Sequence, residues 1–445
     1  IPELVNRFFE IPSLQKGLAK LLLDIPTATI QIVFGLVLLS FYHPAFILFG
    51  MILILILWMI LYYTGNKGLQ TSLTESAYKY GVAAWLEEMG RLIKSFKFSK
   101  GSVINMQKTD EKVSGYLDAR NSHFNILQFQ FKVLIAFKVL ITAAMLIIGS
   151  LLLVNQQLNI GQFIAAEIVI ISIIASVEKL IGNLDSVYDV LTSVDKIAKI
   201  TDKPVETSGT YLLPEKNEGL SIEADNVCFA YNDEKYVLQN ISFRINAGET
   251  VCITGKEGSG KSTLLKIVSG SYQGFEGSLL LNELPVGNYE LKSLRQQTGI
   301  LLSQQDIFHG SLLDNITMGQ PGIDVQQIIR LFKETGLADF LSSLPEGFDT
   351  WLDPTGKRLS RNVVNKILLV RALVGQPRLL LLEEPWTHIE EPYRSQIIRL
   401  LLKDYPNTTI LVVSNDPEFT RLCDKVIDVK NEGCIIKQNK TTDHD

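Results

Sequence analysis

One short stretch of this chain has the composition and spacing to grip a polyphosphate. Gly255-Lys256-Glu257-Gly258-Ser259-Gly260-Lys261-Ser262 fits the pattern G-x-x-x-x-G-K-[ST], with Thr263 directly behind it. Gly255, Gly258 and Gly260 let the backbone turn its N–H groups toward one anion, and the start of a helix adds its dipole. Lys261 supplies a movable positive charge for terminal phosphates, and Ser262 has the hydroxyl that Mg²⁺ would take as a ligand. The flanks agree. Glu249–Thr254 alternates as a strand does, and Leu264–Val268 continues apolar as a helix would. A glycine-rich turn can match such a pattern by chance. The Lys-Ser-Thr triplet in a strand–loop–helix context favours nucleoside triphosphate binding instead.

Three further segments carry chemistry. Leu379–Leu382 is an uninterrupted apolar strand that ends in Glu383-Glu384-Pro385, and two carboxylates at the tip of a buried strand suit Mg²⁺ and a general base. Gln304 follows another apolar strand inside Gly299–Gly310. Thr409–Ser414 forms a third, closing on Asn415-Asp416.

These segments all lie in the second part of a chain of 445 residues whose composition is uneven along its length. A domain over residues 1–200 carries long uncharged runs, and a soluble α/β domain over 218–440 has mixed charge and short strands, with 196–222 as the link. The net charge of -5 is spread rather than clustered, which argues against a nucleic-acid partner. Four cysteines, Cys228, Cys252, Cys423 and Cys434, have no metal-binding spacing and read as reduced structural thiols. The chain starts at Ile1 rather than Met, so it reads as a piece whose beginning is missing.

Pro26–Tyr42 and Ala45–Tyr63 are each close to the roughly 20 residues that cross a bilayer, separated by the tight turn His43-Pro44. A second pair follows at Val139–Val154 and Phe163–Ile181, joined by Asn155–Gly161. Neither turn holds Lys or Arg, whereas 64–132 includes Lys67, Lys79, Arg91, Lys94, Lys97 and Lys100; the positive-inside rule puts that stretch in the cytoplasm. Its helical pattern predicts helices running well beyond the bilayer. Trp85–Ile93 reads as a short docking segment or a solvated helix face, and Glu167, Glu178 and Lys179 as cavity-facing charges or the cytoplasmic end of the last span.

In order and content these segments resemble an ATP-binding cassette (ABC) exporter with membrane spans fused ahead of its nucleotide-binding domain. The resemblance covers nearly the whole chain. It implies an all-α transmembrane domain holding spans three to six, followed by an α/β P-loop domain. It implies that Tyr231, in Phe229-Ala230-Tyr231, stacks on adenine; that Gln304 senses Mg²⁺; that Glu383 is the Walker B acid; and that Glu384 polarises the attacking water. Trp85–Ile93 then resembles a coupling region that docks on a partner's cassette. ATP and Mg²⁺ are the implied cofactors, and a second ABC subunit, alike or different, the implied partner. The resemblance places the protein in a lipid bilayer, the bacterial inner membrane, with the cassette in the cytoplasm.

Departures from the family pattern matter as much. The signature usually reads Leu-Ser-Gly-Gly-Gln, but here Leu359-Ser360-Arg361-Asn362-Val363 keeps only the first two residues, with Ser360 as its phosphate contact. Walker B carries Glu383 for aspartate, the switch histidine is Asn415, and Glu390 stands where the D-loop aspartate is usual. Loss of one transition-state donor costs about 10²- to 10³-fold in rate. The expected function is export of a substrate driven by slow ATP hydrolysis. The alternative is a nucleotide-gated regulator, or a non-hydrolysing subunit of a heterodimer; a soluble P-loop kinase or GTPase fits the two hairpins poorly.

Overall fold

The computed structural model describes residues 6–100, 103–231, 235–353, 359–430 and 432–439. The chain divides into two compact units, Ile1–Val205 and Glu206–Asp445.

The first unit is helical: α1 (Glu10–Tyr42), α2 (Ala45–Arg91), α3 (Ile93–Lys97), α4 (Ile104–Val154), α5 (Ile160–Gly182) and α6 (Leu184–Thr201). Among the described residues, four stretches are long and apolar enough to cross a membrane: Arg7–Tyr42, Ala45–Arg91, Ile104–Val154 and Ile160–Thr201. At 1.5 Å per residue, α2 and α4 are each at least about 70 Å long, more than twice the hydrocarbon thickness, so they project beyond it. The turns are closed locally. His43 Nδ1 accepts from Ala45 N at 3.1 Å, and Asn159 with Gln162 forms a capping box at the start of α5. Phe46, Leu53, Leu134, Phe137, Met145, Ala166 and Ile173 fill the apolar core, while Phe34, Phe41, Leu55, Val139 and Ile147 point outward, as lipid-facing side chains do.

Beyond the apolar core, polar groups are buried with partners. Gln130 Nε2 donates to Thr64 Oγ1 at 2.9 Å and to the Tyr188 hydroxyl at 2.8 Å; Glu10 accepts from Tyr80 at 2.5 Å and Ser193 at 2.6 Å, with Lys196 at 3.6 Å. Glu178 pairs with Lys138 at 2.7 Å and Lys179 with Asp24 at 2.7 Å, so both of these charges are answered within the unit. The Trp85–Ile93 segment divides between one inward-facing ring and exposed side chains. This stretch is the end of α2 and the break at Leu92, and Trp85 is buried, its Nε1 donating to Thr109 Oγ1 at 2.9 Å and its ring edge-on to Phe96. Leu86 and Ile93 are the large apolar side chains that stay exposed there. Trp85 therefore fixes α2 against α4.

The second unit has strands β1 (Ile222–Ala230), β2 (Tyr236–Ile245), β3 (Thr250–Gly255), β4 (Glu276–Leu281), β5 (Leu284–Pro285), β6 (Thr298–Leu301), β7 (Gly310–Ser311), β8 (Trp351–Leu352), β9 (Leu379–Glu383), β10 (Thr409–Val413), β11 (Lys425–Val429) and β12 (Cys434–Gln438). Its helices are α7 (Lys261–Val268), α8 (Leu291–Gln296), α9 (Leu312–Thr317), α10 (Val325–Glu334), α11 (Ala338–Ser342), α12 (Arg361–Leu373), α13 (Tyr393–Lys403) and α14 (Pro417–Leu422). The central sheet runs β12-β11-β3-β10-β9-β6, parallel except at β12. A second, antiparallel sheet runs β2-β1-β4-β5. Leu379–Leu382 of β9 are fully buried, as expected for a strand covered on both faces.

Register positions the chemistry. Val413 lies opposite Ile253 on one side and Glu383 on the other, so β3, β9 and β10 end level. The loops that leave them meet at the carboxyl edge of the sheet, where α/β folds bind ligands. The unit also takes in residues before 218 that composition left in the link. Leu213 N donates to Ser293 Oγ at 2.8 Å, and Arg378 Nη1 donates to the Pro214 carbonyl at 2.7 Å.

Candidate functional site

At that edge lies a cavity of about 550 Å³ lined by residues 257–263 of the glycine-rich loop, Glu383, Glu384, Val413 and Asn415. The loop's glycines are required by geometry at two points. Gly255 (φ 145°) and Gly260 (φ 89°) have positive φ; a Cβ would stand 2.5 Å from the Val429 carbonyl at the first and 2.5 Å from Leu238 Cδ2 at the second. Gly260 opens directly into α7, whose first residue is Lys261. The Lys261 ammonium is folded onto its own loop, donating to the Gly255 carbonyl at 2.9 Å and the Lys256 carbonyl at 2.7 Å. Ser259 Oγ is buried without a partner among the described residues and lines the cavity, a donor awaiting an acceptor.

Glu383 joins two loops. Its Oε1 accepts from the Ser262 hydroxyl and its Oε2 from the Ser303 N–H at 2.9 Å. Glu384 follows with φ 45°, held by its N–H to the Val413 carbonyl at 2.9 Å and by the Ser414 hydroxyl on its Oε2 at 3.4 Å. A non-glycine residue in this region is strained, and the strain here aims a carboxylate into the cavity. Burial pushes the Glu384 carboxyl above the usual range; the Ser414 hydrogen bond and the Lys261 charge work against that rise.

The expected residues do not all converge. Gly258, Gly260, Lys261, Ser262, Thr263, Glu383, Glu384 and Asn415 line one cavity. Gln304 is exposed and outside that lining; its neighbour Ser303 makes the contact to Glu383. Tyr231 stands at the margin, its hydroxyl 2.9 Å from Thr263 Oγ1. Ser360 is the N-cap of α12, accepting from Val363 N at 3.3 Å. Composition gave no sign of a clamp between α12 and the chain beyond Glu384. Asn362 Nδ2 and Lys366 Nζ (3.0 Å) both donate to Glu390, and Asn365 Nδ2 donates to the Thr387 carbonyl at 2.9 Å. Lys366 is 3% exposed and lies 4.4 Å from the Tyr393 ring centre. A lysine in an otherwise apolar helix face was the available signal. Arg361 reaches Asp306 at 3.5 Å, and Arg371 donates to the Asn315 carbonyl at 2.6 Å.

Residues 238–387 match the family model described as ABC transporter. The chain is 31% identical over 285 residues to the alpha-hemolysin translocation ATP-binding protein HlyB of Proteus vulgaris, covering 64% of this chain and 40% of that protein. It is 33% identical over 210 residues to the cyclolysin secretion/processing ATP-binding protein CyaB of Bordetella pertussis, covering 46% and 29%. The chain thus spans about 40% of the length of the first of these curated relatives. Its fold is similar to that in a structure of a bacterial Atm1-family ABC exporter with ATP bound, with a TM-score of 0.85 at 20% identity, covering 99% of this chain and 77% of that one. Residues 238–387 are therefore an ABC transporter domain, and the chain is an integral membrane protein homologous to the ATP-binding proteins of ABC exporters, with its apolar helical unit fused ahead of that domain.

Proposed function

We propose that this chain binds ATP at the 255–263 loop, hydrolyses it slowly, and uses the cycle to move a substrate outward across a bacterial inner membrane, with the cassette in the cytoplasm. The observation that carries the proposal is the meeting of the glycine loop with Glu383 and Glu384 in one cavity, with the Ser259 hydroxyl buried and unpartnered among the described residues there. Polyphosphate oxygens would satisfy that hydroxyl and draw Lys261 from the loop carbonyls it now occupies. The hard-oxygen pair Ser262 and Glu383 fits Mg²⁺, which supplies positive charge to the bound phosphates. Glu384 takes the role of general base toward water, oriented by Ser414. Asn415 offers an amide donor to a phosphate oxygen, without the charge of a histidine. A second ABC subunit, alike or different, would complete the nucleotide sites. The cargoes named for the relatives, alpha-hemolysin and cyclolysin, make a polypeptide the first substrate to test.

A nucleotide-gated role without turnover is favoured by one specific observation: the altered signature is engaged within its own chain, Asn362 with Glu390 and Arg361 with Asp306. Steady-state phosphate release by the full chain in lipid separates the two. Release that disappears in Glu384→Gln supports hydrolysis at this site. Bound ATP with no release by the wild type, alone or with a second subunit, supports gating.

A further inference from the structure

Three aromatic rings gather beside the start of α7, and sequence reasoning drew only one of them into the site. Tyr231, Phe229 and Tyr272 form a near-equilateral triangle, with ring centres 5.0 Å (Phe229–Tyr231), 5.6 Å (Tyr231–Tyr272) and 5.5 Å (Phe229–Tyr272) apart. The planes of Phe229 and Tyr272 lie within 24° of each other, and Tyr231 stands at 85° and 84° to them. Phe229 is buried in β1, whereas Tyr231 keeps 38% of its surface exposed. Tyr272, just past α7, is half-buried with the Lys266 ammonium 5.6 Å from its ring centre. The Tyr231 hydroxyl is hydrogen-bonded to Thr263, a residue of the phosphate loop.

From this arrangement we propose that Tyr272 is a positioning residue for nucleobase binding, and that the Tyr231–Thr263 hydrogen bond ties the base platform to the phosphate cradle. This rests on the reading of 255–263 as the triphosphate site. Tyr231 is the ring with free surface, so the base stacks there. Its orientation is fixed at three points, two ring edges and one hydroxyl, before any ligand arrives. A platform fixed in advance does not lose side-chain freedom on binding, and the benefit appears as affinity for the base alone. Tyr272 does not line the cavity that holds the phosphate loop, so its loss should register on the base and not on the phosphates.

Two ligands that share phosphates but differ in the base test the idea: MgATP and inorganic triphosphate, bound to the full chain in lipid. Tyr272→Ala should weaken MgATP by about two- to tenfold, the size of one edge-to-face pair, and leave triphosphate unchanged. Tyr272→Phe should restore MgATP affinity, since the ring does the positioning. Tyr231→Phe keeps the stacking ring and removes the tie to Thr263, so it should also lower MgATP affinity selectively. An equal loss for both ligands in Tyr272→Ala, or no loss for MgATP, overturns the proposal. Lys261→Ala serves as the separate control: if it binds both ligands as well as the wild type does, the phosphate-site reading itself fails, whereas the ratio of the two affinities in Tyr272→Ala still judges the platform.

Discussion

Glu384 is the residue on which the proposed turnover depends, and its environment makes a pH prediction with a definite sign. Its carboxyl is raised by burial, so folding favours the protonated form; that contribution to stability is present at low pH and is lost as pH rises through the raised value. A base must be ionised, so hydrolysis should rise over the same interval, placing the acid limb of kcat/KM above the ordinary glutamate range. Ser414→Ala removes a hydrogen bond that opposes the shift and should move the limb to higher pH; an unmoved limb would detach Glu384 from the rate. Gly260 makes a second prediction at this scale. Alanine there meets a positive φ and Leu238 at 2.5 Å, a strain of about 1–3 kcal/mol, and should reduce ATP affinity while circular dichroism shows the fold retained.

Among the elements, α12 is the one whose attachments were least expected. Its first turns are bound through Asn362, Asn365 and Lys366 to the segment Thr387–Glu390 that returns from Glu384. Lys366 needs Glu390, because a 3%-exposed ammonium has few other partners. Glu390 itself is half-exposed, so Glu390→Ala should cost about 1 kcal/mol, less than the roughly 3–5 kcal/mol of breaking a fully buried pair. Denaturant unfolding measures it, and the cost should shrink in a Lys366→Met background, where no buried charge is left alone. Glu390 and Asn362 are thus answers to each other. Read singly along the chain, they are only two departures from a pattern.

At the scale of the molecule, the two compact units have separate cores. The parallel sheet and its helices bury their apolar side chains within Glu206–Asp445, and the helical unit packs α1, α2, α4 and α5 around its own. A fragment of residues 206–445 should therefore fold cooperatively and be stabilised by ATP, by about 2.7 kcal/mol at a hundredfold excess over Kd. Thermal unfolding with and without nucleotide checks this, and an unfolded fragment would show that the cassette depends on the helices.

The glycine-rich loop between β3 and α7, the leucine-rich β9 and the long apolar helices were legible in the sequence because each is local. A glycine spacing, an unbroken apolar strand and a hydrophobic run of bilayer length state their own physics without reference to the rest of the chain. The burial of Trp85 against Thr109 was not legible, since an aromatic at the end of a charged helix has the same local pattern whether it faces solvent or a neighbour. Nor were the Ser303 contact to Glu383, the Lys366–Glu390 clamp or the packing of Tyr272 against Phe229 and Tyr231. These join residues tens of positions apart, and only the level ends of β3, β9 and β10 and the packing around them decide which side chains meet.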